Sequence, residues 1–271
     1  MFFNKLLVAI DDSVPSQYAI DIGLIIAKRD ECPVIFCIVL DPALLAQNYG
    51  LSSICELAES FAAEILAGAL KRASEAGVQA TSKVLFHDAC QGIIDLANAE
   101  NVGMIAMGTH GRTGIARALT RSIAESVLRR TTTPLCVIRR PPIGKIYGRF
   151  LVPFVDDELG QAAYRYAVDL AGNFDSTLLF CTITDSSGNR RAEELLERAK
   201  RFALDRGIKS IGVALEGHKS ISSTILEQAG VFECDAIVMA SHGRDGFMRL
   251  VKGSVTEAVI RSSLTPVIVI R

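Results

Sequence analysis

The sequence has almost no net charge: 29 lysines and arginines face 30 acidic residues over 271 positions, leaving −1. With no excess of either sign, no long-range field draws the chain to nucleic acid or to an anionic membrane. A long apolar run is also missing. The longest, PVIFCIVL (Pro33–Leu40), falls far short of the about 20 residues that span a bilayer. The opening MFFNKLLVAIDDS is interrupted by Lys5, closed by Asp11 and Asp12, and followed by no small-residue cleavage site. It reads as a first buried strand, and the protein as soluble. The seven cysteines form no C-x-x-C pair, and Cys37, Cys136, Cys181 and Cys234 sit inside apolar patterns. They read as buried thiols in a reducing cytoplasm. His87, His110, His218 and His242 stand at no ligand spacing to these thiols, so no structural metal is expected. No P-loop lysine, metal-binding carboxylate pair or paired nucleophile and base is present, so an enzymatic role, such as a slow ATPase, has no residue in its favour.

What the chain does contain is a repeat. MGTHGRTG (Met107–Gly114) returns as MASHGRDG (Met239–Gly246), and at that offset of 132 the following residues align without a gap to the closing TPLCVIR and TPVIVIR. Earlier, LLVAIDDS (Leu6–Ser13) resembles FLVPFVDDE (Phe150–Glu158) at an offset of 144 or 145. The first copy therefore holds about a dozen extra residues, assigned to PALLAQNYGLSS after the second strand. Two domains, 1–140 and 148–271, are expected around a proline- and glycine-bearing linker, 141–147.

Within the first copy, strands are predicted at Lys5–Ile10, Pro33–Leu40, Ala80–Phe86, Met104–Met107 and Leu135–Arg139. Helices are predicted at Ser16–Arg29, Ile54–Ala76, Gln91–Ala99 and Ser122–Arg130. Strands such as PVIFCIVL and LCVI are continuously apolar, the pattern of a parallel sheet covered on both faces. In the second helix Leu57, Phe61, Ile65, Ala69 and Ala73, at four-residue steps, form the expected core face. Alternating strands and helices give an α/β fold: two doubly wound, five-stranded, Rossmann-like domains that bind ligands beyond the carboxyl ends of their strands.

The repeated octet follows the fourth strand and so lies at that edge. Its glycines permit positive φ and close backbone approach to an anion. Ten residues on, Ser122–Glu125 and Ser254–Glu257 carry the capping-box signature of a helix start, where unpaired N–H groups favour a phosphate. A plain glycine turn and a plain helix cap explain the same residues.

Taken together, the DDS after strand one, the HGR after strand four and the closing strands resemble the universal stress protein family, twice over. The resemblance implies a tandem, stress-response regulator that binds an adenine nucleotide (ATP, ADP or AMP), with Mg as an accompanying ion. Its phosphate motif, G-x-x-G, nine residues and G-[ST], falls on Gly108, Gly111 and Ser122 with Arg121 in place of the third glycine. In the second copy it falls on Gly243, Gly253 and Ser254 with Ala240 in place of the first, beside Met239 and Arg244. Arg121 either fills the cradle or pairs with the phosphate, so the second copy is expected to bind better. For the nucleoside, the resemblance implies Asp11 and Asp156, with Asp12 and Asp157 as the one-residue alternatives and a helix cap as the plain reading. Val39 and Ile183 would wall the base. The family's closing strands pair across a dimer, so Leu135–Arg139 and Val267–Arg271 are expected to pair within the chain as a pseudo-dimer, with a further homodimer and an unnamed protein partner left open. The alternative function is a pseudo-dimeric scaffold that binds no nucleotide.

Overall fold

In the computed structural model the described residues are 2–42, 51–109, 123–141, 147–184, 190–216, 220–241 and 255–271. The chain divides into two compact units, Phe3–Arg139 and Arg140–Arg271.

The first unit runs β1 (Leu6–Ala9), α1 (Val14–Asp30), β2 (Val34–Leu40), α2 (Leu51–Ala76), β3 (Ala80–Phe86), α3 (Ala89–Ala99), β4 (Met104–Gly108), α4 (Ile123–Arg130) and β5 (Leu135–Ile138). Its strands are ordered β3-β2-β1-β4-β5, and every described pairing among them is parallel. β1, β4 and β5 are buried nearly end to end, which is why their sequences are apolar at every position rather than at alternate ones. Helix α1 packs against the sheet closely. A Cβ on Gly23 would stand 2.7 Å from Val8 Cγ2, so the glycine sets the approach distance. Ser13 caps α1, its hydroxyl accepting from Ser16 N at 3.3 Å, and Glu31 ends it in the left-handed region.

The buried face of α2 differs from the expected one. Leu57 and Phe61 are exposed, whereas Ala62, Leu66, Ala69 and Ala73 are buried. Successive four-residue steps advance around the helix by about 40° each, so a long i+4 series leaves the core face. The observed mixture of four- and three-residue steps stays on it.

The second unit repeats the order: β6 (Arg149–Pro153), α5 (Glu158–Phe174), β7 (Thr177–Thr184), α6 (Arg190–Leu204), β8 (Ser210–Glu216), α7 (Ile221–Val231), β9 (Ala236–Ala240), α8 (Val255–Ser262) and β10 (Val267–Ile270). The strand order is β8-β7-β6-β9-β10, again with parallel pairings. Tyr147, which the sequence places in the linker, is buried in this unit's core against Phe150 and Phe174, with centroids 5.5 and 5.0 Å away. Residues 142–146 of that linker lie outside the described residues. The unit's first strand is fixed by Asp235, whose carboxylate accepts from Gly148 N at 2.6 Å and Arg149 N at 3.1 Å. Burial pushes this carboxyl above its usual range, although the two amides pull the other way.

Equivalent registers resolve the offset between the copies. Leu6 stands opposite Val34 in one and Phe150 opposite Leu178 in the other, and α1 and α5 are both 17 residues long and both end on a left-handed residue. The offset is 144. Asp11 therefore corresponds to Val155, Asp12 to Asp156, Ser13 to Asp157 and Ser16 to Gly160.

Candidate functional site

In each unit the first and fourth strands are neighbours, and the chain leaves them toward different flanking strands. This is the topological switch point at which a doubly wound sheet opens a crevice. In the first unit a cavity of about 330 Å³ lies there. Ala9, Ile10 and Asp11 come to it from the end of β1, Cys37 and Val39 from β2, and Met107, Gly108 and Thr109 from β4. Helices contribute Ser16, Ala89, Ile93, Ile123 and Ala124. The wall is mostly apolar, and Asp11 is the one charged side chain among these residues. The Cys37 thiol is pushed up to about 12 by burial, so it acts as a neutral wall group. Cys32, Cys90, Cys136, Cys181 and Cys234 are buried as well.

Asp11 is exposed at the rim but its orientation is fixed. Its Oδ1 accepts from Ser13 N at 3.0 Å, from Ser13 Oγ at 2.5 Å and from Ser16 Oγ at 2.5 Å. The helix cap is Ser13, not Asp11 or Asp12, and Asp11 closes an Asx turn that leads into that cap. Gly108 was expected to serve a phosphate turn through positive φ. Among the described glycines only Gly77 and Gly207 have positive φ, and Gly108 has a different constraint. A Cβ there would stand 2.6 Å from Pro15 C and 2.7 Å from Ser16 N. Its lack of a side chain lets the first turn of α1 press against the end of β4.

The corresponding residues of the second unit are different in kind. Val155 replaces Asp11 and Gly160 replaces Ser16. Phe154 stands for Ile10, Ile183 for Val39, Ile221 for Ala89, Ala240 for Gly108 and Thr256 for Ala124. Most of these side chains are larger, and the Thr256 hydroxyl donates to the Ala240 carbonyl at 3.2 Å. Asp156, expected beside the nucleoside as the counterpart of Asp11, is instead the counterpart of Asp12. Its Oδ1 accepts from Arg198 Nη2 at 2.7 Å and its Oδ2 from Arg191 at 3.3 Å. The hydrogen bond from Arg198, with that from Arg191, holds its carboxyl below the usual range. Asp157 caps α5, accepting from Gly160 N at 2.6 Å. Met239 is buried and Ala240 half-buried at the end of β9. Among the phosphate-side candidates, Gly111, Arg121, Ser122, Gly243, Arg244, Gly253 and Ser254 lie outside the described residues, as do His110 and His242.

The sequence profile of the universal stress protein family matches residues 2–139 and, a second time, 146–271. The chain belongs to that family. Among curated universal stress proteins, MJ0531 of Methanocaldococcus jannaschii is 29% identical over 143 residues, 46% of this chain and 83% of that protein. YxiE of Bacillus subtilis is 28% identical over 148 residues, 51% of this chain and 99% of its own length. Such relatives match one copy's worth of sequence, whereas a universal stress protein structure from Archaeoglobus fulgidus covers 99% of this chain and 96% of its own, with a TM-score of 0.85 at 22% identity. That likeness establishes the tandem α/β fold. Among the described residues of this universal stress protein no helix is long and apolar enough to cross a membrane, and no His, Cys, Asp and Glu cluster is arranged to hold a metal ion.

Sequence reasoning missed the wall residues Ile93 and Met107 and, with more consequence, Ser16. Its signal was faint: a serine five positions after Asp11 in DDSVPS, whose meaning depends on the turn bringing it back.

Proposed function

We propose that the first unit binds the nucleoside part of an adenine nucleotide in its switch-point cavity, and that the protein is a nucleotide-responsive regulator. The observation that carries this reading is the cavity itself, walled largely by aliphatic side chains and with one oriented carboxylate at its rim. An aromatic base is accommodated by the apolar wall of Val39, Ile93 and Met107, and a carboxylate accepts hydrogen bonds from sugar hydroxyls. About 330 Å³ is at the lower end of small-ligand sites, which suits a nucleoside with its phosphates outside. The sequence-based preference for the second copy rests on Gly253 and Arg121. The described residues favour the first, because Val155 and Gly160 supply neither the carboxylate nor the hydroxyl.

The test is to denature freshly purified protein, identify any released nucleotide, and titrate the emptied protein with ATP, ADP and AMP with and without Mg. Absence of binding by all three would reject the proposal. The closing strands β5 and β10, apolar throughout, support a second element of the same reading, namely pairing of the two units through them. A protease site inserted between Pro142 and Lys145 checks it: after cleavage the two pieces should still elute together, and separation would refute the pairing.

A further inference from the structure

We infer that Ser16 is a positioning residue that aims the Asp11 carboxylate at the sugar hydroxyls of the bound nucleotide, and that Gly108 makes this possible. The inference rests on the nucleoside reading of the first unit's cavity and adds how that cavity discriminates.

Three observations meet. First, Ser16 and Asp11 are joined in both directions: Ser16 Oγ donates to Asp11 Oδ1 at 2.5 Å, and Asp11 N donates to Ser16 Oγ at 3.0 Å. Ser13 Oγ reaches the same carboxylate oxygen at 2.5 Å, so backbone and carboxylate of Asp11 are fixed as one piece. Second, Ser16 is only 3% exposed although it sits in the first turn of a helix beside a solvent-facing aspartate. It is held there because α1 lies against the end of β4, at a distance that Gly108 alone permits. Third, the positions vary together between the copies. Where Asp11 becomes Val155, Ser16 becomes Gly160 and Gly108 becomes Ala240, so the carboxylate, the hydroxyl that holds it and the glycine that admits the hydroxyl are all replaced in the second unit. The three behave as one device.

A carboxylate held in this way does not have to be ordered when ligand arrives, and binding is stronger by the ordering that is avoided. Hydrogen bonds to a charged acceptor are the strong ones, and they are made only by ligands that carry donors at the right place. The device therefore acts on selectivity for hydroxyl-bearing sugars more than on overall affinity.

The experiment is calorimetric titration of the full chain, nucleotide-free, with ATP and with 2′,3′-dideoxy-ATP. Wild type, Asp11→Asn and Ser16→Ala are compared, and their thermal midpoints are recorded. Wild type is expected to prefer ATP by at least about tenfold. Both variants should reduce that preference to about threefold or less while dideoxy-ATP affinity stays within about twofold. Equal binding of the two nucleotides by wild type would overturn this inference and leave the nucleotide reading standing. So would Ser16→Ala if it weakened both ligands equally, the mark of a structural role, or if it left the preference unchanged. Failure of wild type to bind ATP would overturn both.

Discussion

Replacing Gly108 by alanine tests the geometry on which the site depends. The added methyl carbon would stand 2.6 Å from Pro15 C, 2.7 Å from Ser16 N and 2.8 Å from Pro15 O. All three are backbone atoms of the first turn of α1, so none can swing aside as a long side chain would. Either the turn retreats from β4 by several tenths of an ångström or the strand end bends. Overpacking of this kind costs about 1–3 kcal/mol. Alanine recovers about 0.4–1 kcal/mol by restricting the unfolded chain, leaving a net loss of about 1–2 kcal/mol. For a domain of this size that lowers the midpoint of thermal unfolding by roughly 3–10 °C. Differential scanning calorimetry measures it, and the same sample should bind ATP several-fold more weakly, because retreat of the turn carries Ser16 away from Asp11. Ala240→Gly, at the corresponding position of the second unit, is the control and should cost less than about 1 kcal/mol. A Gly108→Ala protein with an unchanged or raised midpoint would refute the close-approach argument, whatever its affinity.

Gly253→Arg separates the two units as binding sites: with the nucleotide in the first, ATP affinity stays within about twofold, whereas a tenfold loss would return the site to the second. Asp156→Asn should leave ATP affinity unchanged and shift stability by less than about 1 kcal/mol, since its partners Arg191 and Arg198 are largely exposed; a calorimetric loss of binding would reinstate Asp156 as a ligand contact. Glu100 is held at about 2 by hydrogen bonds from Lys5 and Lys83. A depressed carboxyl stabilises the fold above its ordinary value of 4.5 and loses that contribution as pH falls toward 2, so Glu100→Gln should flatten the dependence of the thermal midpoint on pH across that window. An equally steep profile in the variant would refute this. Asp235→Asn should lower stability by about 1–2 kcal/mol in urea unfolding, because Gly148 N and Arg149 N both donate to Asp235 Oδ2 and a neutral amide oxygen accepts them more weakly than the charged carboxylate; a change below about 0.5 kcal/mol would show that the strand start does not depend on the charge.

The elements of the first unit were legible because their signals are local. Four of its five strands are apolar runs bounded by polar turns, and all five were marked to within a residue or two. The core face of α2 was misread because periodicity gives a helix a stripe but not its starting angle; Leu66 and Phe61 differ in burial through contacts with a sheet the sequence does not display. Asp156 was misassigned for a related reason. DD occurs in both copies, in IDDS and VDDE, and only the strand register shows that the repeat aligns the second aspartate of the first with the first of the second. Ser16 was hard to read because what buries it against Asp11, the close approach at Gly108, comes from 92 residues away along the chain.

Met107 lines the first unit's cavity, and Met239 occupies the same register at the end of β9, equally buried. With only five methionines in the chain, labelling their methyl carbons would give a nuclear magnetic resonance spectrum of five peaks, two of them from this matched pair. Solvent, temperature and pH act on both methyls, whereas a nucleotide seated in the first unit's cavity displaces one. The duplication thus supplies a reporter and its own reference within a single molecule, and the difference between two peaks reads occupancy of the site without a separate standard.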